Sequence, residues 1–126
     1  MKWFVKVFIQ YADFGGRARR KEYWMFQLFW LLFLIATIII PVLFDIFGGD
    51  VHQMTFIPMA FLAVTIIPSL AVTVRRLHDI GRSGWWVLFA MIIPFLGIVI
   101  FIFTLCDSQA TANKWGVNPK LYPNWR

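Results

Sequence analysis

The chain has 126 residues, 60% of them hydrophobic and only 14% charged, with a net charge of +6. That length allows one domain, and so few charges cannot clothe the apolar surface of a water-soluble one, so the composition argues for an integral membrane protein. The basic excess sits in clusters beside apolar runs, which assigns it to anionic lipid headgroups and membrane topology rather than to nucleic acid, and the single cysteine, Cys106, excludes an intrachain disulfide or a multi-cysteine metal site.

In chain order, residues 2–14 come first. Trp3, Phe4, Val7, Phe8, Tyr11 and Phe14 follow helical spacing, with Lys2, Lys6, Gln10 and Asp13 on the opposite face. The spacing predicts a short amphipathic helix, too short to cross a bilayer. It either lies in the plane of the headgroups or packs its aromatic face on the membrane helices. No cleavable leader is expected, because no short apolar core precedes a small-residue cleavage site. Gly15-Gly16 then breaks the helix. The run Arg17-Ala18-Arg19-Arg20-Lys21-Glu22 that follows is a topology signal for the cytoplasmic side or, in a sharper reading, a clamp for a headgroup or phosphate. Glu22 has the spacing to pair weakly with Arg19.

Residues 23–44 carry no charge and reach about 33 Å as a helix, enough for a first span. Residues 45–54 form a loop with Gly48-Gly49, Asp45 and Asp50 and no basic residue; His52 lies here, solvated. Residues 55–74 are the second span, interrupted by Pro58 and Pro68, with Thr65 and Ser69 near enough to satisfy a freed carbonyl. Residues 85–106 are a third uncharged run. It reads as one span kinked at Pro94 or, alternatively, as a helical hairpin turning at Pro94-Phe95-Leu96-Gly97. Residues 107–126 are a polar, turn-rich tail whose aromatics lie against the membrane surface or the helices.

Of the 12 basic residues, six precede the first span and three, Arg75, Arg76 and Arg82, follow the second; none lies between the two spans. The positive-inside rule then puts the N-terminus and the loop from Arg75 to Gly84 in the cytoplasm. Three spans put the tail outside, whereas the hairpin keeps all 12 basic residues inside.

The densest polar stretch is Arg75-Arg76-Leu77-His78-Asp79-Ile80-Gly81-Arg82-Ser83-Gly84-Trp85-Trp86. Gly81 is a natural stop for the second helix and Ser83 an N-cap for the next. Arg75, His78 and Asp79 share one helix side, with Arg82 just beyond. Two arginines around a histidine suit an anionic headgroup or phosphate, and Arg17, Arg19 and Arg20 on the same side complete the candidate site. Adjacent helical side chains do not face each other, so Asp79 does not orient His78 as a catalytic carboxylate would. No nucleophile elbow, phosphate loop or zinc-helix motif is present, and the two histidines lie on opposite sides of the membrane. The expected function is therefore non-enzymatic, without cofactor: a membrane module that binds anionic lipid or a partner through its basic cytoplasmic face. Two readings stand beside it. One is a subunit of a small oligomeric transporter or channel, for which the spans offer no charged lining; the other is a lipid-modifying enzyme using His78. A second copy or another membrane protein is a possible partner.

At these residues the chain resembles a known family. Gly16-Arg17-Ala18-Arg19-Arg20-Lys21-Glu22-Tyr23-Trp24, the stretch from Arg75 to Trp86, and Asn113-Lys114-Trp115-Gly116-Val117-Asn118-Pro119 occur in that order in the bacterial inner-membrane family catalogued as domain of unknown function 805, the YhaH-like proteins. The tail departs from the pattern: Ser108-Gln109-Ala110-Thr111-Ala112 stands where a Gly-Thr-Pro-Gly-like run is usual. The resemblance implies a small all-helical protein of the bacterial cytoplasmic membrane and no particular activity.

Overall fold

The computed structural model of the protein describes residues 2–121. Five α-helices follow one another: α1 (Lys2–Ile9), α2 (Arg20–Ile46), α3 (Phe56–Asp79), α4 (Trp85–Ile92) and α5 (Leu96–Leu105). Among the described residues there is no strand, only an isolated bridge between Asn113 and Gly116 in the tail.

α2 and α3 form the frame. They are long and apolar enough to cross a membrane, reaching about 40 and 36 Å at the helical rise. They run antiparallel: Glu22 meets Arg75 at one end, and Trp30 meets Thr65 and Phe61 further along. Outward-facing Leu28, Leu32, Ile39, Met59 and Ile66 stay exposed. Apolar surface on that scale is stable only against hydrocarbon. At the far end, a loop containing a single 3-10 turn (Val51–Gln53) joins the two helices, with Asp50 accepting from the His52 N–H at 3.0 Å.

α3 runs on to Asp79, and Gly81 ends it as its sequence predicts. Gly81 adopts φ +79°, its N–H donates to the His78 carbonyl at 3.0 Å, and the Arg82 N–H donates to the Leu77 carbonyl at 2.8 Å. Those two bonds close the last turn on a left-handed residue that glycine adopts without penalty. Inside α3, Pro68 has no N–H to offer the Val64 carbonyl. The hydroxyl of Tyr11 donates to that carbonyl instead. Thr65, which sequence proximity nominates for the task, donates to Phe61 and receives the Trp30 indole N–H at 2.9 Å.

α1 is shorter than residues 2–14 suggest and packs on the other helices. Trp3 and Val7 are buried, and Phe4 stacks on Phe26 with centroids 5.5 Å apart. The face expected to be polar and outward turns inward at two points. Lys6 donates to Glu22 at 2.9 Å, and Gln10 accepts from Arg75. A buried carboxylate and a buried guanidinium draw these side chains in more strongly than water holds them out.

The third apolar run is not one kinked span but the hairpin. α4 and α5 are separated by a turn at residues 93–95 and pack on each other, Trp86 edge-on to Phe103 at 5.5 Å. Pro94 forces the preceding Ile93 into an extended conformation (φ −116°, ψ 95°), which ends α4. The N–H groups of Ile93, Leu96, Gly97 and Ile98 all find carbonyls within the hairpin. Pro94 has none to place, so a proline suits the tip of a turn bathed in lipid. Each arm is about 12–15 Å long, a fraction of the long helices.

Candidate functional site

The hairpin returns the chain to the end where α1, the start of α2, the end of α3 and the tail meet. Arg17, Glu22, Arg75, Arg76, His78, Asp79, Thr104 and Asn118 are all buried there. Three buried arginines against two buried carboxylates must share acceptors, and they do so across the whole chain.

Asp79 is the centre. One carboxylate oxygen accepts from Arg17 Nε at 3.1 Å, and the other accepts from Arg76 and from the Ser108 hydroxyl. Arg17 uses its remaining donors on main-chain carbonyls: Asp79 at 3.1 Å, Gln109 at 2.7 Å, Thr111 at 2.9 Å and Gly116 at 3.3 Å. Arg76 spreads over the carbonyls of Ala18, Thr104 and Cys106. Arg20 donates to the Leu105 carbonyl, and the Trp24 indole N–H to the Thr104 carbonyl. The C-terminal ends of α3 and α5, which carry the negative end of the helix dipole and unpaired carbonyls, are thus capped by guanidinium groups.

A second cluster lies beside the first. Glu22, in the first turn of α2, accepts from Lys6 at 2.9 Å and from Arg75 at 3.2 Å. Its pairing with Arg19 is not made; Arg19 lies over the Trp3 ring at 5.4 Å. Arg75 Nε and Nη2 and Arg19 Nε are enclosed with no acceptor beside them among the described residues. His78 faces a third way. Its Nδ1 lies 3.1 Å from the Gly16 carbonyl, and its ring stacks on Trp115 at 4.3 Å and 8°.

The residues nominated by sequence therefore converge, but not as an open clamp. Arg75, His78 and Asp79 address three different neighbours. Arg17, Arg75 and Arg76 spend their charge inside the protein. Arg20 and Arg82 alone among the nominated arginines are exposed, Arg82 lying over the Phe103 ring at 5.1 Å. Ser83 accepts the Trp85 N–H at 3.3 Å, while Gly84 takes the cap position itself. At the rim Lys120 pairs with Asp107, whose carboxyl is held below its ordinary range by that ammonium and by the Ser108 N–H.

Most of the residues of this polar centre fall within the part of the chain that a family model matches. The model of the family described as protein of unknown function (DUF805) matches residues 11–117. The chain belongs to this family. It is similar to the inner membrane protein YhaI of Escherichia coli K12, with 39% identity over 98% of this chain and all of the relative. It is similar also to the inner membrane protein YhaH of the same strain, with 40% identity over 98% of this chain and all of that relative. The uncharacterized protein YiiR of that strain shares 36% identity over 67% of this chain and 52% of its own length. No solved structure matches. With these relatives and its exposed apolar helices, the chain is an integral protein of the bacterial inner membrane.

Lys6, Gln10, Ser108 and Asn113 belong to the polar centre as fully as the nominated residues. Asn113 donates to the His78 carbonyl at 2.9 Å and so seats the tail on the end of α3. The departing segment, residues 108–112, does the same work as its neighbours, through the Ser108 hydroxyl and the carbonyls of Gln109 and Thr111. The described part of the tail, with Trp115, thus lies against the helices, while Tyr122 and Trp125 fall outside the described residues.

Proposed function

We propose that this protein is a non-enzymatic inner-membrane module whose basic end faces the cytoplasm and binds anionic lipid headgroups through its outward cations. One observation carries the reading. Arg17, Arg75 and Arg76 are consumed by internal partners, whereas Arg20, Lys21 and Arg82 are exposed around the same end. Each basic side chain near an anionic surface contributes about 1 kcal/mol. The return of the hairpin adds support, because the described tail then shares the side of the other basic residues, in keeping with the positive-inside rule. The orientation of Asp79 toward Arg17 and Arg76 leaves His78 without a carboxylate to orient it among the described residues, which favours binding over catalysis.

The test is lipid retention by the detergent-purified chain, measured by native mass spectrometry with phosphatidylglycerol and phosphatidylcholine of identical acyl chains. Replacing Arg20, Lys21 and Arg82 together with glutamine is expected to abolish most of the preference for the anionic lipid. An unchanged preference overturns the reading. A C-terminal reporter fusion is expected to be active in the cytoplasm.

A further inference from the structure

Beside the polar centre, on the flank where α4 leaves α3, lies a partly open cavity of about 580 Å³. That is within the range of roughly 300–1,000 Å³ typical of ligand pockets. Its walls are Leu70 and Val74 of α3 and Val87 and Leu88 of α4; its mouth is His78, Lys114 and Trp115. The walls are apolar and the mouth is not. Leu70 and Leu88 lie toward the hydrocarbon, and the mouth lies at the level of the basic end.

Two features shape this slot. Gly84 stands where α4 begins, and its lack of a side chain lets α4 start close against α3; a methyl group added there would come within 2.6 Å of Val74 and 3.5 Å of His78 Nε2. The His78–Trp115 stack roofs the slot, with Nδ1 of the imidazole turned to the Gly16 carbonyl and Nε2 left on the Gly84 side. Lys114 lies 4.4 Å from the Trp115 ring centroid, and among the described residues no carboxylate pairs with it. A partly open slot with apolar walls between two helices of a membrane protein and an ammonium at its mouth matches one chemistry: an acyl chain joined to an anionic headgroup.

We infer that this groove holds one acyl chain of an anionic glycerophospholipid, with its phosphate against Lys114 and its chain between α3 and α4. The site is distinct from the exposed rim of Arg20, Lys21 and Arg82, and it adds to the lipid reading above a single bound molecule at a defined place. Leu88 is 45% exposed at the groove, so a larger side chain there fills the slot without entering the core. Lys114 is exposed and makes no ion pair among the described residues, so its removal leaves the fold intact.

The experiment uses the full chain in detergent, native mass spectrometry, and dioleoyl phosphatidylglycerol against dioleoyl phosphatidylcholine, with glycerol phosphate as the headgroup alone. One phosphatidylglycerol per chain is expected to survive activation. Leu88→Trp is expected to lower retention of both lipids about tenfold, the effect of excluding a few buried methylenes. Lys114→Gln is expected to lower phosphatidylglycerol retention about fivefold and leave phosphatidylcholine unchanged. Glycerol phosphate is expected not to compete. Unchanged retention in Leu88→Trp, or competition by glycerol phosphate, overturns the groove. If the rim variant alone loses the anionic preference, the rim reading stands and the groove falls; if only the groove variants lose retention, the reverse holds. A second measurement needs no variant. Phosphatidylglycerol with a photoreactive group in its acyl chain is expected to label residues 70–74 and 83–88 of the wild-type chain, and label spread evenly over the outer face of α2 overturns the proposal.

Discussion

The two ends of the α2–α3 pair are built on opposite principles. At the far end the loop satisfies itself. Gly49 donates to Phe44, His52 to Asp50 and Met54 to Val51, all within a few residues. At the basic end almost every bond is long-range, joining Arg17 to Asp79, Arg75 to Glu22, and residues 109–116 back to Arg17. A local turn needs only its own sequence to form. A buried set of charges forms only when all the segments that supply it are in place, so it specifies the tertiary fold in a way the apolar helix faces, equally content against lipid, do not.

That contrast is broken most directly at Asp79. Asp79→Asn leaves Arg17 and Arg76 buried with no carboxylate, a loss of about 3–5 kcal/mol. Thermal unfolding in detergent is expected to lose its cooperative transition or shift far down, with the tail becoming open to protease; a transition within a degree or two of wild type would mean that the charges are not what locks this end. Tyr11→Phe is the intermediate case. It removes the hydroxyl that donates to the carbonyl Pro68 leaves free, for about 1–2 kcal/mol. The companion change Pro68→Ala restores the helical donor and is expected to make Tyr11→Phe nearly silent, which a double-mutant cycle checks. Asp50→Ala at the far end removes a local cap and is expected to cost no more than about 1 kcal/mol in the same assay. A larger loss there would erase the distinction between the two ends.

Most of the architecture was legible because it follows from composition. Two uncharged runs of membrane-spanning length, a glycine stop at Gly81 and a polar tail leave few alternatives. The third run was harder, since 22 apolar residues fit one span as well as two short arms. Pro94 is compatible with a kink or a turn. Only the charge count, which keeps every basic residue on one side, leaned toward the hairpin. The candidate site was legible in membership and not in geometry. Arg17, Arg75, Arg76, His78 and Asp79 do meet, yet helical spacing alone groups Arg75 with Asp79, while the structure joins Asp79 to Arg76 and sends Arg75 to Glu22. Lys6, Gln10 and Ser108 escaped because their partners are far away in sequence. One signal was present: Glu22 and Asp79 are acids set among arginines at the ends of apolar runs, and an acid in that position has to find a cation.

The guanidinium of Arg17 has a temporal consequence. It is made before either helix of the frame, and the carbonyls it grips at Gln109, Thr111 and Gly116 are made after both. Until synthesis has reached Gln109, this side chain has only Asp79 among these acceptors. The knot at the basic end is therefore tied only after the segments of both frame helices have been made and residues 109–116 have followed them, and a nascent chain cut short before that point carries an unsealed cation where the complete knot carries a buckle.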